Sequence, residues 1–318
     1  MPSSTPASGT GNADAALGTG LAAAGTSLDV RVLPRSRAWY WDVWVQMLRQ
    51  KPLGTTGALI VVVMLAAAVL ADVVAPYGFS QTSLRERLQG ASAAHWLGTD
   101  QLGRDVMTRL LYGARVSLYV GFGAVALGSL IATAVGILSA YFGGRVDLLV
   151  QRGVDAWMAF PGLLLLMSIM SLIGPGVWNI TLVLGVAFGI QNSRVVRGVA
   201  LSIKEHTYVE GARAVGAGHG RVAVSHILPN VLPTIIVVAT TGLSTVILTE
   251  ASLSFLGLGV PPPFPTWGGM LSLAGLDHMY QAPWLAVWPA VALSLAVFGF
   301  NMLGDALRDL LDPRLKGG

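Results

Sequence analysis

Cysteine is missing from all 318 residues. That absence excludes a disulfide framework, a thiolate metal site and a cysteine nucleophile. Charge is scarce: Asp, Glu, Lys and Arg make up 11% of the chain, against about 25% in an average soluble protein. The dipeptide Gly-Lys occurs nowhere. The phosphate cradle G-x4-G-K-[ST] is therefore lacking, and nucleotide hydrolysis has no home in this chain. His95, His206, His219, His226 and His278 fall in no HExxH or other ligand spacing, so no metal is expected and each reads as an ordinary loop or interfacial residue. No nucleophile-base pair is evident either. The first 30 residues hold no Lys or Arg and are rich in Gly, Ala, Ser and Thr. A secretory signal needs a basic start and an apolar core. Residues 1–34 are accordingly expected to be a retained, disordered tail.

What the chain does have is apolar surface. Hydrophobic residues make up 53% of it, and the mean hydropathy is +0.65. A membrane span needs about 20 mostly apolar residues. Six stretches qualify or nearly do: 58–75, 116–142, 154–173, 177–193, 231–256 and 284–303. The expected fold class is an all-α polytopic membrane protein with six transmembrane helices. The fourth stretch is short, with Arg194 and Arg197 able to snorkel from its end. The formal net charge is +4. In a soluble protein this would raise nucleic acid as a partner; here the positions of the basic residues offer a simpler reading. With both termini inside, fifteen Lys and Arg lie in cytoplasmic segments, and only Arg85, Arg87, Arg104, Arg109 and Arg115 lie outside. That asymmetry predicts both termini in the cytoplasm, with no nucleic-acid role.

Smaller features refine the layout. Trp39, Tyr40, Trp41 and Trp44 stand beside basic residues before the first span. They suggest an interfacial amphipathic helix over 35–56, with a disordered linker as the alternative. The first span is then 57–76. Ala124, Gly128, Ala132, Gly136 and Ala140 recur at every fourth position, which on a helix gives a small-residue seam for close helix approach. The segment 77–112 is too long for a simple turn and mixes acids with bases. Asp100, Gln101, Arg104 and Asp105 within it are candidate docking residues for an external protein. A second external loop, 257–283, carries Pro261, Pro262, Pro263 and Pro265; it either packs over a pore mouth or forms a rigid interfacial cap. Glu250 lies inside the fifth span, and intramembrane acids mark functional sites by default. It acts either in structure or gating near an outer gate, or in direct contact with a solute.

The fourth and fifth spans are separated by a polar, glycine-punctuated insert, "YVEGARAVGAGHGRVAVSHILPN", residues 208–230. Thr207 and Glu210 form Thr-x-x-Glu, a capping box. Gly216 is a natural helix stop. A two-turn helix of Tyr208, Val209, Glu210, Gly211, Ala212, Arg213, Ala214 and Val215 is therefore expected. Such a short helix is marginal alone in water, so a surface must hold it. Val209, Ala212 and Val215 make a modest apolar stripe. Spacing and composition leave lipid headgroups and a protein partner both open as that surface.

Glu210-Gly211-Ala212, Gly216 and Leu228-Pro229 resemble the EAA loop of ABC importer permeases, with the form E-A-A, three residues, G, nine residues, I-x-L-P. Gly211 replaces an alanine, and His226 stands at the isoleucine position. "HILPN" is similar to the dipeptide and oligopeptide subfamily. "HWLGTDQLGRDVMTRLLYGARVSL" (95–118), "EASLSFLGLGVPPPFPTWGGML" (250–271) and "GDALRDLLDPR" (304–314) resemble the same subfamily, in the same order. The likeness covers roughly residues 50–315 and is strongest to the second permease subunit. The resemblance implies a type I ABC importer permease fold in a bacterial cytoplasmic (inner) membrane. Its core would be 113–309, with a coupling loop at 200–229 and a cytoplasmic tail at 310–318. It implies as partners a second homologous permease subunit, two ATPase subunits that carry ATP and Mg, and an external substrate-binding protein. The helix 208–216 would dock on an ATPase as the coupling helix. Di- and oligopeptides are the implied solutes, with a nickel chelate, glutathione or haem as alternatives. A self-contained secondary transporter or channel is the rival class, and only Glu250 offers it a relay group. Transport by this chain alone in liposomes without ATP would decide for the rival.

Overall fold

Proline suits the first turn of a helix, where its missing N–H breaks no bond. Pro52 opens the first described helix, α1, Pro52–Val69. The computed structural model describes residues 52–272 and 277–311. The expected tail 1–34, residues 35–51 with their four aromatic rings, and residues 312–318 lie outside that range. The other principal helices are α2 Val106–Phe142, α3 Gly144–Met158, α4 Gly162–Ile173, α5 Val177–Lys204, α6 Thr207–Ala214, α7 Leu228–Phe255, α8 Trp267–Leu271 and α9 Trp284–Leu311. Among the described residues the only bridge of β type is an isolated one between Thr99 and Asp105. The protein is an all-α, multi-pass membrane protein.

Among the described residues, four helical stretches are long and apolar enough to cross a membrane: Pro52–Val69, Val106–Phe142, His219–Phe255 and Trp284–Leu310. The helices α3 and α4 make a fifth if counted as one span bent by 88°. The apolar run 154–173 falls within this bent pair. Pro161 breaks it: the ring carries no N–H and forces the preceding residue out of helical geometry. The helix α5 has 28 residues, about 42 Å at 1.5 Å per residue. Gln191, Asn192, Arg194 and Arg197 dilute its apolar character at one end, so it is long enough to cross but less apolar than the other spans. The helix α2 begins ten residues before its predicted start at 116, because Asp105 caps it: its carboxylate accepts the Thr108 N–H at 2.7 Å.

The small-residue seam of α2 finds its partner in α5. A Cβ built on Gly128 would lie 2.7 Å from the Gly185 carbonyl and 2.6 Å from the Phe188 ring. One on Gly136 would lie 2.7 Å from the Ser193 carbonyl. Conversely, a Cβ on Gly189 would lie 2.9 Å from the Gly128 carbonyl. Two backbones touch here, and only glycine leaves the room. Around this pair the chain packs a membrane core that includes Met170, Phe188, Ile247, Leu253 and Phe300. The helices α7 and α9 add polar glue, the Ser244 hydroxyl donating to the Asn301 carboxamide at 2.7 Å. A second apolar cluster, with Tyr141, Val196, Ile203, Val209, Val222, Ile227 and Val231, fills one end of the bundle.

Gly128→Val is therefore expected to lower stability by roughly 1–3 kcal/mol through overpacking. Thermal unfolding in detergent should show a lower midpoint than wild type; an unchanged midpoint would mean the two helices are not in backbone contact.

Candidate functional site

The polar insert folds as expected in outline. Helix α6 covers Thr207–Ala214, and Gly216 follows at φ +84°. The Ala217 N–H donates to the Ala212 carbonyl at 3.0 Å and the Gly216 N–H to the Arg213 carbonyl at 2.9 Å. This pair of bonds is the Schellman closure that a glycine at positive φ permits. The capping box does not form. His206, not Thr207, is the N-cap, and no side chain caps the helix. The His206 carbonyl already accepts the Val209 and Glu210 N–H groups, at 2.9 and 3.3 Å. Thr207 thus lies one residue too far along, inside the first turn, and Glu210 is exposed.

Burial is lopsided. Val209 is fully buried, in the cluster that holds Ile203, Val222 and Ile227. Ala212 is half-buried. The expected stripe stops there, because Val215 is 86% exposed. Tyr208, Glu210, Gly211, Arg213, Ala214 and Gly216 are exposed. Among the described residues, nothing beyond its own surroundings in the helix lies within 4 Å of a Cβ built on Gly211 or Gly216. Val209 is therefore the one side chain of the helix that is fully buried, and most of its other residues are exposed.

A second attachment was not legible from sequence. The Arg213 guanidinium lies over the Tyr141 ring, 5.0 Å from its centroid. The Tyr141 hydroxyl is 2.7 Å from His219 Nδ1. His219, an ordinary loop residue by spacing alone, thus joins the end of α2 to the turn after α6. Nearby, Lys204 donates to the Ala140 carbonyl at 3.0 Å, and Arg197 Nε to Asp147 at 2.6 Å. Arg194 pairs with Asp155. Beyond the turn, Val222–Ile227 widens into a π-helix before α7. Pro229 supplies no N–H to the preceding turn, and the Asn230 side chain donates to the His226 carbonyl at 2.7 Å. Such π segments recur at functional sites.

At the opposite end, Glu250 is fully buried. Ser117 on α2 donates to one carboxylate oxygen at 3.1 Å, and Ser254 to the other at 2.6 Å. The acid thus ties α2 to α7 inside the subunit. The external candidates divide. Asp100 is 5% exposed and accepts the Leu102 and Arg104 N–H groups at 2.8 and 2.9 Å and Arg104 Nε at 2.6 Å. Asp105, 3% exposed, caps α2 and lies 3.0 Å from His95 Nδ1. These two acids are turned inward as loop organisers, which corrects their assignment as docking contacts. A carboxylate that collects backbone N–H groups is more stable inside the turn than reaching out of it. Arg104 is half-buried against Asp100, and Gln101 is the half-exposed member of the set. Among the described residues no group of three His, Cys, Asp or Glu is placed to hold a metal.

Asp105→Ala should cost about 1 kcal/mol as a lost helix cap, whereas Gln101→Ala should leave the unfolding midpoint where it is. Equal midpoints for the two variants in thermal melts would contradict the cap.

Residues 132–317 match the family described as binding-protein-dependent transport system inner membrane component. Residues 39–91 match the N-terminal TM domain of oligopeptide transport permease C. The dipeptide transport system permease protein DppC of Alkalihalophilus pseudofirmus is 40% identical over 276 residues, 87% of this chain and 90% of that protein. The glutathione transport system permease protein GsiD of Pectobacterium atrosepticum is 41% identical over 86% of this chain and 91% of its own length. GsiD of Escherichia coli is 41% identical over 87% and 91%. The capped, outward-facing helix between two spans, the glycine seam and the matches over most of the length converge: the chain belongs to the binding-protein-dependent inner membrane components, the permease subunits of ABC importers with the type I permease fold.

Proposed function

We propose that this chain forms half of the translocation path of an ATP-driven importer of short peptides, and that α6 is the helix through which ATPase subunits drive it. The observation that carries this reading is the seating of α6: Val209 is buried and Arg213 rests on the Tyr141 ring, while Glu210, Gly211, Ala214, Val215 and Gly216 are exposed. An amphipathic helix bound for lipid would show a broad apolar stripe. The open face of α6 is mixed instead, with Glu210 and Arg213 beside Tyr208 and Val215, which suits a protein groove. Relatives named for dipeptide and for glutathione carry amide-linked solutes, and this supports a peptide class here.

The basic residues around α6, Lys204, Arg194, Arg197 and Arg213, gather at one end of the bundle, which the positive-inside rule places in the cytoplasm. The membrane in question is then the bacterial inner membrane. ATP and Mg belong to two partner ATPase subunits. A second, homologous permease completes the path, and an external binding protein delivers the solute to the face that carries Gln101. Within α1, α7 and α9, only about a third of each apolar window is buried inside the chain (33%, 33% and 28%). The remainder is surface for lipid and for the second permease.

In the complete complex reconstituted into liposomes, Glu210→Ala should retain ATP hydrolysis and lose most peptide uptake. Its side chain is exposed and, among the described residues, holds no hydrogen bond or ion pair, so the fold should be unaffected. Gly211→Ala gains about 1 kcal/mol of helix stability and meets nothing within the chain, so a fall in uptake would locate the ATPase against that position. If both variants transport at the wild-type rate, α6 is not the coupling element.

A further inference from the structure

The bend between α3 and α4 encloses a cavity of about 220 Å³ against α5. Its lining is apolar, with Met158, Phe160, Leu165 and Leu166, except for Trp157 and Gln191. The Gln191 side chain is exposed. Among the described residues neither its carboxamide nor the Trp157 indole N–H has a hydrogen-bond partner. Gln191 lies fourteen residues into α5, about 21 Å from its start, within the roughly 30 Å thickness of a hydrocarbon core. A carboxamide facing lipid tails at that depth has no partner, which is costly. It must face a partner subunit or water.

The charged groups nearby point to water. One turn further along α5, Arg194 pairs with Asp155 on α3, and Arg197 pairs with Asp147 another turn on. A polar ladder thus leads from Gln191 to the end of the bundle that carries α6. The carboxamide offers two donors and an acceptor, the complement of a peptide unit's C=O and N–H. Trp157 adds an aromatic face and one more donor.

We infer that Gln191 and Trp157 form a contact point for the peptide backbone of the solute on its way through the membrane, at the α3–α4 bend. The ligand class is an uncharged amide group flanked by small side chains; a cavity of about 220 Å³ lies below the roughly 300 Å³ at which small-molecule pockets begin, so it receives part of the solute. This inference rests on the peptide reading of the path.

Because the chain has no native cysteine, Gln191→Cys gives it a single thiol. In the assembled complex, a charged thiosulfonate, which reacts only with a thiolate in contact with water, should label that thiol. Alanyl-alanine presented with the binding protein and ATP should slow the labelling. In proteoliposomes, Gln191→Leu should raise the KM for alanyl-alanine uptake about five- to tenfold, the effect of one lost hydrogen bond or slightly more, while Gln191→Asn recovers part of it. Three results would overturn the inference: no labelling, labelling that solute leaves unchanged together with a wild-type KM, or a Gln191→Leu permease that no longer co-purifies with its partner permease. The labelling arm reads water at position 191 without any solute. A wild-type complex that ignores alanyl-alanine therefore defeats the peptide reading, and is told apart from a Gln191 that water never reaches.

Discussion

The backbone contact between α2 and α5 is the constraint from which the rest follows. Gly128 and Gly136 on one helix meet Gly185, Gly189 and Ser193 on the other with no room for a methyl group. In lipid no hydrophobic effect pulls helices together, so packing of this kind must supply the association. Once the pair is set, both of its ends are set. At one end Ser117 of α2 reaches Glu250 of α7; at the other Tyr141 of α2 meets Arg213 and His219 around α6. The helix α2 is thus a continuous rod of 37 residues between the Asp105 cap and the seat of α6.

The polar groups of the chain are few, and most do structural duty. Asp100 and Asp105 hold the external loop together through backbone N–H groups. Asp147 and Asp155 answer Arg197 and Arg194 where α3 crosses α5. Lys204 closes the end of α2 by donating to the Ala140 carbonyl. In a membrane interior an ion pair or buried acid without such partners would not be tolerated. Among the described residues, Gln191 and the exposed residues of α6 take no part in these pairings.

Much of this was legible in the sequence, and the reasons differ by element. The apolar runs announced the spans, because bilayer thickness dictates a length. The four-residue period of Ala124 to Ala140 announced a seam, although nothing in α2 itself said that Gly185 and Gly189 would fill it. Gly216 announced the end of α6, since positive φ leaves few alternatives to glycine. The start of α6 was misplaced by one residue: a capping box depends on side-chain rotamers, and the backbone carbonyl of His206 made the cap unnecessary. The bend of the third span at Pro161 was not read from the apolar run, although the proline that causes it stands in the sequence. Tyr141 and His219 lie 78 positions apart, and no local pattern links residues that meet only through the fold. Asp100 and Asp105 looked outward by polarity alone; their burial depends on the turn they themselves create.

The seating of α6 has a mechanical corollary. Its two attachments, Val209 in a socket and Arg213 on the Tyr141 ring, lie one helical turn apart. Loss of either attachment alone would leave α6 held at the other, so its place beside the end of α2 does not hang on a single contact.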